Sequence, residues 1–210
     1  MLSWLRSLFS TTPDTLLHES DPMKKYLIIG LGNIGAEYDN TRHNIGFKVV
    51  DALIENEETS FEPAKLGAVA NFKFKGRSVL CIKPSTYMNL SGKAVAYWMA
   101  KEKVPLENVL IVTDDINLPF GTLRLKTKGS DGGHNGLKNI QNVLQTAQYP
   151  RLRFGVGSEF SKGKQVDYVL GQWNESEEAA LNERLERTTA LIRSFIFAGV
   201  KNTMNAFNGT

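Results

Sequence analysis

The sequence predicts an α/β fold in a single domain. Three observations predict it. Near-continuous apolar runs of strand length occur at Tyr26–Ile29, Ser78–Ile82 and Val109–Thr113. Between such runs, apolar residues fall at helical spacing, as at Ile45, Val49, Ala52 and Leu53. The chain has 210 residues, 41% of them hydrophobic, enough for one full core.

In order, Tyr26–Ile29 is a strand that breaks into a glycine turn, Gly30-Leu31-Gly32-Asn33-Ile34-Gly35, and a polar loop leading to a helix from Ile45. Ala68, Ala70, Phe72 and Phe74 alternate as a half-buried strand should, and Lys75-Gly76-Arg77 turns it into Ser78–Ile82 as a hairpin. Pro84 disfavours extending that second strand, because it has no N–H to donate. Ser91 is placed to cap a helix in which Leu90, Ala94 and Trp98 share a face. Val109–Thr113 is a buried strand ending in Asp114-Asp115, and Thr122–Lys126 is a further strand. The segment Gly129–Gly136 holds four glycines in eight residues and leads to a helix at Leu137–Leu144. Leu152–Val156 is a strand. Asn174 with Glu177 spells a capping box for a long last helix, whose apolar stripe is Leu181, Leu185, Thr188, Ile192 and Phe195. A short helical turn is expected in the tail from Gly199.

Residues 1–22 differ from the rest and are expected to be a flexible N-terminal extension, with the domain proper at 23–210. Trp4, Leu5, Leu8 and Phe9 suit one face of a short amphipathic turn, but Arg6 and Ser7 interrupt it too soon for a signal-peptide core. No apolar stretch approaches the roughly 20 residues a membrane span needs. The single cysteine, Cys81, reads as a small buried hydrophobe and favours a cytoplasmic protein. Net charge is only +3, yet eight Lys or Arg against two acids lie between Gly121 and Gln165, which points to an anionic partner.

Gly30, Gly32 and Gly35 match a dinucleotide-binding fingerprint, but the context argues against an NAD-type oxidoreductase. That fingerprint needs its third glycine in the first turn of the helix. Here nine mostly polar residues, Ala36–Asn44, intervene, and Asp51, at the spacing of the ribose-binding acid, lies in the predicted helix. A zinc hydrolase fits less well still, since His18, His43 and His134 are the only histidines and show no metal-ligand spacing.

A different chemistry emerges from topology. Asn33 follows one apolar strand, Asn89 a second, and Asp114 ends a third. If the strands are parallel neighbours, these groups meet at the carboxyl ends, where open α/β sheets form their sites. His43 and the glycine loop with His134 and Asn135 join them. Histidine suits a general base near neutral pH, a carboxylate orients it, and asparagine amides donate to a developing oxyanion. With no G-x-S-x-G elbow, an activated water is the simplest nucleophile.

The segments GLGNIGAEYDNTRHNIG, PSTYMNLSG, TDDINLPFG, GSDGGHNGLKNI and RLRFGVG, in this order and spacing, resemble bacterial peptidyl-tRNA hydrolases over about residues 24–205. The resemblance implies cleavage of the ester between a peptide and the 3′ ribose of tRNA. It further implies a mixed, partly parallel, twisted sheet with helices on both faces, in a monomeric cytoplasmic enzyme with no metal or other cofactor and no membrane partner. It assigns His43 as catalytic base and Asp114 as its orienting carboxylate. Asn33, Tyr38, Met88, Asn89 and Asn135 become substrate-binding residues, and Lys126, Arg153 and Lys162 contacts to tRNA phosphates. The loop Ser158–Lys164, Asp115 in place of a more usual glutamate, and residues 1–22 depart from the family pattern. The remaining alternative is a non-catalytic RNA-binding relative of the same fold. Such a relative need not keep the His43/Asp114 pair, which this chain has.

Overall fold

The computed structural model describes residues 24–208, so the expectations for residues 1–22 lie outside the described residues. Among these residues the strands are β1 (Lys25–Gly30), β2 (Glu62–Ala64), β3 (Gly67–Phe74), β4 (Arg77–Pro84), β5 (Val109–Asp115), β6 (Leu123–Lys126) and β7 (Arg151–Gly155). The helices are α1 (Ile45–Ile54), α2 (Ser91–Glu102), α3 (Asn135–Leu144), α4 (Gln165–Val169) and α5 (Glu175–Phe207). The strands form one seven-stranded sheet in the order β2-β3-β4-β1-β5-β7-β6. β4, β1, β5 and β7 run parallel, while β2, β3 and β6 pair antiparallel at the flanks. The mixed sheet is therefore as expected, and the three site-bearing strands β4, β1 and β5 are parallel neighbours.

Side-chain alternation along the central strands feeds two apolar layers. Ile28, Leu110 and Val112 face Val49 and Leu53 of α1 and Leu191 and Phe195 of α5. Leu27, Ile29, Val109 and Ile111 face Val95 and Trp98 of α2 and Ile140 of α3. Being buried on both faces, β1 and β5 need apolar residues at nearly every position, which is why their sequence shows no alternation. Cys81 is fully buried in the first layer, and burial pushes its thiol pKa up.

Both sheet edges are blunted. β2, which the sequence pattern does not reveal, is three residues long and contains Pro63. At the other edge the Asn208 side chain pairs with β6 as a strand would: it accepts from the Leu125 amide at 2.8 Å and donates to the Leu125 carbonyl at 2.9 Å.

Several local expectations need correction. Pro84 does close β4, opposite Gly67 and beyond Ile82, the last β4 residue paired with β1; a missing donor there breaks no ladder with that neighbour. Ser91 is the first residue of α2 and not its cap; its hydroxyl turns back to donate to the Met88 carbonyl at 2.8 Å. Leu90 belongs to the preceding 3-10 turn, so it leaves the buried face and is half-exposed. The capping box of α5 forms as expected. The tail exceeds a short turn: helical structure resumes after a break at Gly199 and runs to Phe207. The strand pattern also gave no sign of α4.

Candidate active site

The glycines after β1 serve close packing. A Cβ on Gly30 would lie 2.1 Å from the Gly46 carbonyl oxygen, and one on Gly46 would lie 2.3 Å from that of Leu31. Two bare backbones thus let α1 sit against the end of β1. Beyond Gly35 the chain makes two 3-10 turns, Ala36–Tyr38 and Arg42–Asn44, before α1 begins, so the third glycine does not open a helix as pyrophosphate binding requires. The second turn carries His43.

Asn33 is locked from both sides. Its backbone N–H donates to Asn44 Oδ1 at 2.8 Å, and Asn44 Nδ2 returns a bond to the Asn33 carbonyl at 2.9 Å. Asn33 Oδ1 accepts from the Met88 amide at 2.8 Å. Asn33 also lines the site cleft.

Asp114 sits at the end of β5, 4% exposed. His43 Nδ1 lies 2.9 Å from its Oδ1 and 3.0 Å from its Oδ2. His134 Nε2 approaches the same Oδ1 at 2.9 Å and Thr113 Oγ1 at 2.7 Å. Burial works against the charge on Asp114, but His43 and His134 outweigh it and hold the carboxyl well below the usual carboxylate range. Burial likewise pulls the His43 pKa down, and the charge and hydrogen bond of Asp114 more than offset that, so the net shift is upward. With Nδ1–H donating to Asp114, Nε2 of His43 is the unprotonated nitrogen, free to take a proton from the cleft.

The cleft, about 390 Å³, is lined by Asn33, Tyr38, His43, Met88, Asn89, Asp114 and Asn135. All seven residues expected for catalysis and substrate binding therefore share one cavity. Tyr87, Ile116, the α4 residues Val166 and Val169, and Leu170 just after α4 supply an apolar side.

The chain also matches known proteins along most of its length. A model of the family "Peptidyl-tRNA hydrolase" matches residues 27–210. The chain belongs to the peptidyl-tRNA hydrolase family. Relatives of that name from Porphyromonas gingivalis and Phocaeicola vulgatus are 55% and 57% identical over 184 residues, 88% of this chain and 100% and 98% of theirs. A crystal structure of peptidyl-tRNA hydrolase from Acinetobacter baumannii superposes with a TM-score of 0.83 at 32% identity, covering 90% of this chain and 97% of that one.

The three basic residues that the family resemblance singles out lie outside the cleft lining. Arg153, on β7, is ion-paired through Nε with Asp115, and its Nη2 lies 3.8 Å from where a Cβ on Gly132 would be, beside the glycine loop. Lys126 ends the edge strand β6, and Lys162 is exposed in the loop before α4. The basic excess from Gly121 to Gln165 is smaller at the surface than the sequence count suggests. Arg151 is 1% exposed, stacked 3.9 Å from the Tyr149 ring centroid, with its guanidinium donating to the carbonyls of Gly129, Ser130 and Ala147.

Sequence reading placed His134 near the site but missed its bond to Asp114. His134 caps α3, with Nδ1 accepting from the amides of Gly136 at 3.1 Å and Leu137 at 3.3 Å. Histidine is an unusual cap, and Gly132 and Gly133 at positive φ are what bend the loop enough to deliver it. The fold brings together ligand-type groups that the sequence keeps apart. His43, Asp114 and His134 bring three ligand atoms within 4.8 Å of one another. Their 2.9 Å nitrogen–oxygen separations are hydrogen-bond lengths, though; ligands about 2.0–2.2 Å from a tetrahedral zinc would stand more than 3 Å apart. The cluster is built around shared protons. Asn44, Thr113 and Arg42 were missed as supporting residues, since only their contacts reveal them.

Proposed function

We propose that this chain hydrolyses peptidyl-tRNA at the ester joining the peptide to the 3′ ribose, with His43 as general base and Asp114 as the carboxylate that orients it. The observation that carries this reading is the bond from His43 Nδ1 to a buried, ionised Asp114, which leaves Nε2 as a proton acceptor on the cleft side. Nε2 takes a proton from water, and the hydroxide formed attacks the ester carbonyl. The tetrahedral oxyanion is stabilised by side-chain N–H donors of Asn33, Asn89 and Asn135; one such donor contributes about 3 kcal/mol. The imidazolium then returns the proton to the departing ribose oxygen, so the reaction consumes one water and regenerates the base. An ester needs less activation than an amide, and a base, a water and amide donors suffice without a cofactor.

Tyr38 and Met88 complete the peptide side of the site, and the asparagines favour peptidyl over free aminoacyl ends by bonding the peptide backbone. Lys126, Arg153 and Lys162 hold tRNA phosphates, a contact independent of sequence and sensitive to salt. We assign the activity to residues 23–210, acting as a monomer in the cytoplasm, where translation supplies the substrate. No helix among the described residues is long and apolar enough to cross a membrane.

The test is release of labelled peptide from N-acetyl-aminoacyl-tRNA by the wild type and by His43→Ala, with unacetylated aminoacyl-tRNA as control. Cleavage of the acetylated substrate alone, reduced about 10³-fold or more in the variant, is expected. An undiminished rate in His43→Ala would remove His43 as the base.

A further inference from the structure

Next to His43 in sequence stands a residue that never reaches the cleft. Arg42 is 7% exposed. Its Nη2 pairs with Glu177 Oε2 at 2.6 Å, and its Nη1 donates to the carbonyls of Gln172 at 2.6 Å and Tyr168 at 3.4 Å. The guanidinium stacks 4.4 Å from the Tyr168 ring centroid and 5.5 Å from that of Trp173. The backbone follows the same course: the Arg42 amide donates to the Gly171 carbonyl, Thr41 bridges to Gln172, and Gln172 Nε2 donates to the Asp39 carbonyl. Every one of these partners belongs to α4, the link after it or the first turn of α5. α4 itself is five residues long, too short to hold its place by its own hydrogen bonds, yet Gln165, Val166, Val169 and Leu170 in and after it line the cleft as one wall.

We propose that Arg42 is a positioning residue that fastens this wall to the turn bearing His43, so that the width of the cleft is set by the Arg42–Glu177 pair. The proposal rests on the reading of the cleft as the place where the peptidyl end binds. A buried arginine suits the task because its planar fork reaches a carboxylate and two carbonyls at once, which a lysine ammonium does not reproduce. Glu177 is shared: the same Oε2 accepts from the Asn174 amide at 2.9 Å in the α5 capping box. The strap is thereby anchored to a fixed point, the start of a helix that packs along the core. Loosening it leaves the bond between His43 and Asp114 untouched and frees the wall. The cost falls on substrate binding and spares the chemical step.

The experiment compares Arg42→Lys and Glu177→Gln with the full-length wild type. Glutamine keeps the acceptor that the capping box needs and removes only the charge. Steady-state cleavage of N-acetyl-aminoacyl-tRNA is expected to show KM raised about tenfold in both variants, with kcat changed less than about twofold and the acid limb of the pH profile unmoved. Hydrogen exchange is expected to quicken at the amides of Leu170 and Gly171, which bond within this segment, while β5 amides keep their wild-type rates. A lower melting temperature with unchanged KM and unchanged exchange in the segment would make Arg42 merely structural and overturn the proposal. So would a fall in kcat with a displaced acid limb, which would place its effect on His43. If Arg42→Lys fails to fold, Glu177→Gln alone gives the same readings. If the wild type cleaves nothing, the hydrolase reading fails, and the exchange comparison still decides whether the strap holds the wall.

Discussion

The turn that carries His43 and the glycine loop that carries His134 deliver two imidazoles to one carboxylate oxygen, each at 2.9 Å, with ring centroids 5.0 Å apart. Neither is fully buried; their side chains are 13% and 9% exposed. The difference lies in the nitrogen left over. His134 Nδ1 is occupied by two backbone amides at the start of α3, which fixes the proton on Nε2 and directs it to Asp114 and Thr113. Both of its nitrogens are thus committed to structure. His43 commits only Nδ1. Two chemically identical groups on one carboxylate acquire different roles through their remaining valence, and His134 supports the acceptor on which His43 depends.

The largest break in this comparison is Asp114→Asn, which removes the charge of the shared acceptor and one of its two oxygens. A loss of about 10²–10⁴-fold in kcat is expected, because the base loses its orientation and its charge partner. The pH profile carries the sign. In the wild type, activity is expected to fall as pH drops through the His43 pKa, which stands above the ordinary 6.5 because Asp114 outweighs burial. Without the carboxylate only burial remains, so the acid limb of the residual activity moves to lower pH. A limb that stays in place would mean that another group titrates there.

A smaller effect separates the two duties of His134. In His134→Asn the cap survives, since asparagine is among the best N-caps, but the bond to Asp114 is lost; a fall of about tenfold in kcat at an unchanged melting temperature is expected. His134→Ala loses the cap as well, costing about 1 kcal/mol and a melting temperature lower by about 2–4 °C. If His134→Asn were as damaging as Asp114→Asn, the support role would be too small a description.

The smallest effects belong to the basic residues outside the cleft. Lys126→Ala and Lys162→Ala should each reduce the slope of log affinity against log salt by about 0.7–0.9, leaving kcat at saturating substrate unchanged. Arg153→Ala should do the same and also lower thermal stability, because it leaves the buried carboxylate of Asp115 without its cation. Salt titration of tRNA binding checks all three, and an unchanged slope in Lys162→Ala would remove that loop from the contact.

Much of this molecule is legible without coordinates. The apolar runs at Tyr26, Ser78 and Val109 need burial on both faces, and strands buried on both faces run parallel between helices. The positions of Asn33, Asn89 and Asp114 at the ends of those runs then bring them to the carboxyl ends of neighbouring strands. The capping box at Asn174 is equally local, since both partners lie within four residues. Illegible elements are those too short or too exposed to carry a pattern. β2 has no apolar pattern because its three residues are mostly exposed, and α4 is too short to show a helical period.

The sequence by itself determined the fold class, the strand ends where polar groups gather, and a set of side chains suited to activating a water, because each follows from periodicity or residue chemistry. Only the tertiary structure decided how those side chains divide the work. Arg151 and Arg153 stand two positions apart in the basic segment, yet one is sealed against Tyr149 and loop carbonyls while the other pairs with Asp115 beside the glycine loop. Likewise His134 is bound at both nitrogens and His43 at one, and Arg42 is tied to Glu177, 135 residues away. Such assignments depend on which donor meets which acceptor across the chain, a matter of angstroms that local pattern does not encode.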